Sequence, residues 1–335
     1  MKPKKPDQTK TGASVYETIA SELYYRVNRD RLPVEGILLA NREDILFEHR
    51  FTPDVPRVIY SHSKSFTATA AGMLMDEGKL HLHDTIADQF PAHVPEHMDS
   101  VWRKVTLEHA LTMSSGANRA LLMMAERGQG IGAPDFMKFV LSHPIEHEPG
   151  SVFCYSNGDT YMVGRMAEKA AGMTVKEYLK EKLFRPLGMD TDPVWEHCPM
   201  GHTFGASGLE LRLSHMCRLG MLYLNRGMWQ GKRLLSEEWI DNARKVHISS
   251  NPNPKPLDWN NGYGFLCWKM PFGESYRFDG AYGQFSCICP EKDVVISVQC
   301  TENDCTSLII QALHEEIFVP LYSLAIRSIQ TGGCL

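Results

Sequence analysis

Ser61 and Lys64 stand three residues apart in Tyr60-Ser61-His62-Ser63-Lys64-Ser65-Phe66. At the start of a predicted helix, that spacing projects both side chains from one face. A serine hydroxyl is a weak nucleophile until a neighbour takes its proton. Lysine does so only when neutral, which calls for a desolvated site or cationic neighbours that lower its pKa. A helix N-terminus adds backbone N–H groups that favour developing negative charge. A second constellation lies within 148–158, where Tyr155 and Asn157 are two apart between glycine-containing turns. In an extended segment, residues i and i+2 point the same way. A phenol that relays a proton and a carboxamide that orients its neighbours would then face one cleft. Alone, Ser-x-x-Lys recurs by chance and a loop tyrosine is commonly packed. Together they suggest nucleophilic catalysis.

These groups need elements to hold them. Residues 14–28 carry Val15, Ile19, Leu23 and Val27 at steps of four, the stripe of an amphipathic helix. Two apolar-rich runs, 36–40 and 45–51, flank Asn41-Arg42-Glu43-Asp44 and predict a hairpin. Residues 61–77 predict an Ala/Met-rich helix closed by Gly78. From Leu80 to Trp239 the pattern is mainly helical, clearest at 162–171, 175–184 and 213–224. After a proline-rich loop at 251–256, strand character returns at 263–269, 275–278, 284–289 and 294–300. An apolar helix over 306–324 follows. Strands at both ends predict one shared sheet with the helical middle packed against it. The expected division is a disordered tail at 1–13, a sheet domain of 14–78 and 240–335, and a helical insertion at 79–239. The lysine-rich start (Lys2, Lys4, Lys5) falls in that tail.

Composition narrows the function classes. With 35 Lys+Arg against 40 Asp+Glu, the 335-residue chain carries a net charge of −5. It has no basic stripe, which argues against a nucleic-acid partner. No run approaches the ~18 apolar residues that span a bilayer, so no membrane partner is expected. The polar start lacks the apolar stretch of a secretory signal, which predicts a cytoplasmic address. Nine cysteines are scattered without a Cys-x-x-Cys pair, so reduced, mostly buried thiols are expected. His81-x-His83 would put two imidazoles on one strand face, but no third ligand follows at metal spacing, and His197 and His202 are equally incomplete. Gly128-Gln129-Gly130-Ile131-Gly132 has no preceding strand and no Gly-Lys-Ser/Thr, so it reads as a loop near the cleft and not a phosphate cradle. Met113, Met123 and Met124 suit either core or an adaptable apolar wall. By strand alternation Cys154 faces away from the Tyr155 side and packs. His62 is expected to point away from Ser61, packing or meeting solvent.

Over roughly residues 34–300, the ordered series of motifs resembles the serine hydrolases related to class C β-lactamases, D,D-peptidases and their esterase relatives. Ser61-x-x-Lys64 resembles that family's first motif and Tyr155-x-Asn157 its second. The run from Val105 to Gly116 is similar to "T-x-x-x-L-L-x-H-T-S-G", and Leu183 to Met189 to "F-x-P-L-G-M". Gly262-Tyr263-Gly264 resembles the start of a returning strand. The resemblance implies the β-lactamase/D,D-peptidase-like fold, an α/β (α+β) arrangement. Its antiparallel sheet is flanked by helices and stands beside a mainly helical subdomain, with the site between. It also implies that Ser61 attacks a small-molecule ester or amide and forms an acyl-enzyme. Lys64 and Tyr155 would share the general-base and general-acid work, either one taking the serine proton. Asn157 would steady them, and the N–H groups of Ser61 and Ala281 would form the oxyanion hole. No metal or organic cofactor is implied, and the oligomeric state stays open.

The third motif departs from the pattern. Family members usually carry Lys-Thr-Gly or His-x-Gly on a strand lining the site, and the cation helps hold a substrate carboxylate. The matching stretch here is Phe278-Asp279-Gly280. An aromatic residue in the cation's place resembles the esterase branch, where Trp-Gly-Gly can stand, and the amide hydrolases acting on nylon oligomers. A one-residue shift puts Asp279 there instead. Either alignment weakens the β-lactamase and D,D-peptidase readings, whose ligands bear a carboxylate that wants a positive partner. Arg277, as neighbour of Phe278, is expected to point off that face. An esterase-like serine hydrolase is therefore expected. An acyltransferase sharing the acyl-enzyme is one alternative, and a catalytically silent sensor or binding module is another. The retained Ser61, Lys64 and Tyr155, and the lack of an anchor, speak against the sensor.

Overall fold

All seven residues of the strand Val34–Ala40 (β1) are buried, while its hairpin partner Ile45–Arg50 (β2) has no buried residue. That contrast marks a strand inside a sheet beside one at its edge. The strands Trp268–Lys269 (β3), Tyr276–Gly280 (β4), Gln284–Cys289 (β5) and Val294–Cys300 (β6) complete a six-stranded sheet in the order β2-β1-β6-β5-β4-β3. Every neighbouring pair is antiparallel. The first hairpin closes onto the last strand with Ile37 opposite Val298, so both chain ends build one sheet as the sequence predicts. The strand expected at 263–269 shrinks to Trp268–Lys269, because Tyr263 makes only isolated bridges to Ile248 and Trp268. The computed structural model describes residues 15–130, 134–250 and 259–323. The expected tail at 1–13 and the proline-rich loop at 251–256 lie outside the described residues.

Alternation along β1 divides the core in two. Ile37 and Leu39 join one cluster, Leu38 and Ala40 the other. The first cluster is roofed by helices from the two chain ends, Val15–Asp30 (α1) and Thr306–Leu313 (α5). Ile19, Leu23 and Val27 of α1 point into it, while Val15, its first residue, is exposed. The second cluster holds three longer helices: Ser63–Asp76 (α2), Asn157–Ala171 (α3) and Leu213–Leu224 (α4). Helix α4 lies across β1, β5 and β6, and α2 packs on α3. The helices expected at 175–184 and 306–324 each pass through a π turn, at Lys180–Phe184 and His314–Phe318.

Helix α2 is buried on all sides from Ser63 to Leu74, which a helix tolerates only when its polar groups find partners. Thr67 Oγ1 donates to the Gly205 carbonyl at 2.9 Å, and Thr69 Oγ1 to the Ser65 carbonyl at 2.7 Å. Gly78, at φ +68°, turns the chain out of the helix. Among the described residues, no helix is long and apolar enough to cross a membrane. The eight described cysteines are free thiols.

Candidate active site

Ser61 sits in a 3₁₀ turn, Tyr60–His62, one step before α2 and not within it. The chain reaches this turn through Tyr60 at φ +48°, a left-handed conformation costing of order 1 kcal/mol or more for a residue of this size. Tertiary contacts hold it there. The Tyr60 phenol donates to Glu302, and its ring meets Tyr282 edge-on at 4.9 Å. From the sheet side, Gly280 comes so close that a Cβ would lie 2.2 Å from the Ile59 carbonyl oxygen. Only glycine lets the end of β4 touch the turn.

Lys64, one turn along α2, is 1% exposed. Its Nζ lies 3.0 Å from Ser61 Oγ, 2.6 Å from Asn157 Oδ1 and 2.8 Å from the Ala206 carbonyl oxygen. Burial pushes this amine well below the ordinary lysine range. The positive charge of Arg127 pushes the same way, and Asp279 partly opposes it. Arg127 is held over the Phe204 ring at 4.0 Å by an ion pair with Glu196 at 2.8 Å.

Asn157 opens α3 immediately after its N-cap, Ser156, whose Oγ accepts from Gly158 N and from Leu121 N, each at 3.1 Å. Such a cap is worth about 1 kcal/mol. Here it also fixes the direction of Asn157, whose Nδ2 donates to the Leu122 carbonyl at 3.0 Å while its Oδ1 accepts from Lys64. The Tyr155 ring centroid is 5.0 Å from Lys64 Nζ, and Tyr155 and Ser61 line the same cavity. The ring stacks on Trp268 at 5.5 Å and 26°. Burial raises this phenol above the ordinary tyrosine range, the Ser61 hydroxyl lowers it in part, and the nearby Asp279 raises it further. Ser61, Tyr155 and Asn157 thus meet around the amine of Lys64.

They open into a cavity of about 580 Å³ walled by Trp259, Trp268, Phe153 and Met123, and lined as well by Asp279 on β4 and Ala281 just past its end. Phe278 is absent from that wall, which corrects the aromatic alignment of the third motif. It is 3% exposed and packs edge-on against Tyr223 at 5.0 Å and His62 at 5.7 Å. Alternation explains the difference, because 277 and 279 share one side of the strand and 278 and 280 the other. Arg277 therefore stands on the cleft side of β4, contrary to expectation, but fully buried beneath Asp279. Its Nε donates to Asp279 Oδ2 at 3.0 Å, its guanidinium lies 5.1 Å from the Trp259 ring centroid, and Trp259 Nε1 donates to the same carboxylate oxygen at 3.1 Å.

Other expectations shift with local geometry. Cys154 lines the cavity beside Tyr155, because residues 153–156 pair in no sheet and strand alternation does not govern them. Burial pushes its thiol up to about 11. Of the methionines, Met123 reaches the cavity, Met113 is core and Met124 is exposed. Gly128 and Gln129 end a short helix, Met124–Gln129, while 131–133 lie outside the described residues. His81 and His83 sit at a turn, not on a strand, with rings 5.4 Å apart. Among the described residues no group of three or more His, Cys, Asp or Glu is arranged to hold a metal. His62 is fully buried and meets no solvent. The Ala206 and Leu122 carbonyls escaped sequence reasoning because a backbone acceptor has no side-chain signature. The aromatic density around Gly262-Tyr263-Gly264 was the available signal for Trp259 and Trp268.

The sequence pattern of the Beta-lactamase family matches residues 40–307. A 6-aminohexanoate-dimer hydrolase of Paenarthrobacter ureafaciens is 23% identical over 226 residues, 62% of this chain and 56% of that protein. A Beta-lactamase of Yersinia enterocolitica is 28% identical over 130 residues, 39% of this chain and 31% of that protein. The chain thus spans between 31% and 56% of the length of these curated relatives. Among solved structures, EstCE1, a hydrolase with promiscuous acyltransferase activity, superposes with a TM-score of 0.68 at 17% identity, covering 89% of this chain and 98% of that one. The antiparallel sheet, the two helical layers and the motifs in their order have the same source: the chain belongs to the Beta-lactamase family.

Proposed function

We propose that the protein is a serine hydrolase that cleaves an ester or amide with an uncharged acyl group through an acyl-enzyme on Ser61. The observation that carries this reading is the set of three partners around Lys64 Nζ. Two of them, Asn157 Oδ1 and the Ala206 carbonyl, can only accept. A neutral amine has two N–H donors and one lone pair. With both donors spent on those acceptors, the lone pair faces Ser61 Oγ. Lys64 is thereby the general base, and the desolvation that lowers its pKa favours the neutral amine this role needs.

Ser61 Oγ attacks the carbonyl carbon as its proton passes to Lys64 Nζ. The resulting oxyanion is received by the N–H groups of Ser61 and Ala281. Tyr155, whose raised pKa keeps it protonated, donates to the leaving oxygen or nitrogen as that bond breaks and recovers a proton from Lys64. Water then repeats the sequence on the acyl-enzyme in the reverse sense, releasing the acid. Asn157 holds Lys64 in register throughout. The aromatic wall suits an apolar acyl group, and Asp279 repels an anionic one. Phe278 has no part in this selection.

The test is kcat/KM for p-nitrophenyl butyrate against nitrocefin at one pH, with an alcohol added in a parallel ester assay. Preference for the ester is expected. Equal or better turnover of nitrocefin would defeat the uncharged-acyl reading, and a dominant ester product in the presence of the alcohol would identify an acyltransferase instead.

A further inference from the structure

We propose that His62 is a positioning residue for the nucleophile, a neutral imidazole that fastens the Ser61 turn to the middle of the sheet. The inference rests on the reading of Ser61 as nucleophile and adds a group that the reaction scheme does not use. His62 follows Ser61 directly, is fully buried and has both ring nitrogens engaged. Nε2 lies 3.0 Å from Ser286 Oγ on β5, and Nδ1 lies 3.3 Å from Ser65 Oγ on α2. Ser286 stands opposite Phe278 on β4 and opposite Ser297 on β6. The three form a cross-strand row on the face that looks at α2.

Proton accounting assigns the tautomer. Ser65 Oγ gives its proton to the His62 carbonyl at 2.7 Å, so it can only accept from the ring, which places a proton on Nδ1. Nε2 is then an acceptor and takes the Ser286 proton. Ser297 Oγ, 2.8 Å from Ser286 Oγ, donates in turn. The Met216 carbonyl, at 3.4 Å from Ser286 Oγ, is the longer alternative. Every donor in the chain Ser297–Ser286–His62–Ser65 therefore has one acceptor. Burial pushes the imidazole down to about 3, which keeps it in this neutral form across working pH. Phe278 closes the pocket edge-on, and Gly280 brings β4 against the His62 backbone N, a Cβ there meeting it at 3.2 Å. The strained Tyr60–Ser61 step is thus clamped from behind by two strands.

Three substitutions separate hydrogen bonding from filling of space. His62→Phe keeps the ring and loses both bonds, His62→Gln retains an acceptor near Nε2, and Ser286→Ala removes the partner. Each is purified and checked for folding by circular dichroism. Each is then assayed for kcat and KM on p-nitrophenyl butyrate and for the rate of fluorophosphonate labelling at Ser61. His62→Phe and Ser286→Ala should each lose roughly 10-fold or more in kcat and in labelling rate, the worth of one buried hydrogen bond, with KM held within about 2-fold. His62→Gln should recover most of that loss, and the double variant His62→Phe/Ser286→Ala should be no slower than His62→Phe. Wild-type kcat in folded His62→Phe, or equal losses in the Phe and Gln variants, would overturn the proposal. If wild-type protein is labelled elsewhere than Ser61, the functional reading falls instead, so the two failures are told apart.

Discussion

The two walls of the cleft are built on opposite principles. On the helical side, the polar atoms of Ser61, Lys64 and Asn157 are tied to one another or to backbone carbonyls of the helical body, at 2.6–3.0 Å. On the other side stand aromatic rings and one carboxylate, Asp279, which accepts from the buried Arg277 and from Trp259, itself one of the cavity's rings. A network in which each group orients the next tolerates little change, whereas rings that only bound a space can be exchanged for others of similar volume. Under the proposed function, the chemistry belongs to the first wall and the choice of acyl group to the second. Changes in the first should slow every substrate alike, and changes in the second should reorder substrates.

The largest effects should come from the catalytic wall. Lys64→Ala and Tyr155→Phe should each lower turnover by roughly 10²–10⁴ on esters and on nitrocefin alike. Their combined loss should be smaller than the product of the two, since both act on one proton path. A substrate-dependent loss would break the division between walls. In wild type, kcat/KM should fall as pH drops through the lowered pKa of Lys64, because protonation removes the base. Tyr155, shifted upward, should impose no limit on the acid side.

Next in size is Asp279→Asn, which removes the cleft carboxylate's charge while leaving an acceptor for Arg277 and Trp259. It should raise nitrocefin kcat/KM relative to p-nitrophenyl butyrate by roughly 10-fold, about 1.4 kcal/mol of relieved repulsion. Because Asp279 stabilises the protonated amine of Lys64, its neutralisation should also move the acid limb to lower pH. Steady-state assays across pH read both effects. An unchanged substrate ratio would remove Asp279 from selection.

The smallest effect concerns Asp159, on the α3 turn behind the catalytic wall. It is 2% exposed, and its two carboxylate oxygens accept from Ser115 N at 3.3 Å and Ser115 Oγ at 3.0 Å. Burial raises this carboxyl to about 7, and the Ser115 hydrogen bonds only partly oppose the rise. Its unfolded value is about 3.9. The native state therefore binds the extra proton between these values. The stability it contributes is whole below the lower one and is lost as pH rises through the upper one. Asp159→Asn should flatten the dependence of Tm on pH between 4 and 8 without reordering substrates. A slope equal to wild type would mean that Asp159 is ionised throughout.

How far the sequence reaches depends on what kind of information each feature needs. Helix α4 was predicted over the residues it occupies, and the β5 and β6 strands likewise, because periodicity is a property of side chains. Ser61 and Lys64 come together even though the turn holding Ser61 is 3₁₀ and not α, since a three-residue offset survives that change. Phe278 and Asp279 were a harder case. They differ by one residue of strand register, and one residue exchanges the two faces of a sheet completely. Strand alternation misplaces Cys154 because its segment forms no strand. The Ala206 carbonyl, which helps direct the lone pair of Lys64, is a matter of chain path and leaves no mark on residue type.

Intact-mass spectrometry with peptide mapping, after incubation with a fluorophosphonate and with p-nitrophenyl esters of increasing acyl length, tests the central claim most directly. One adduct per chain is expected, located on Ser61, formed slowly in Lys64→Ala and not at all in Ser61→Ala. Stoichiometric labelling of Ser61→Ala, or an adduct on Cys154 in the same cavity, would contradict it.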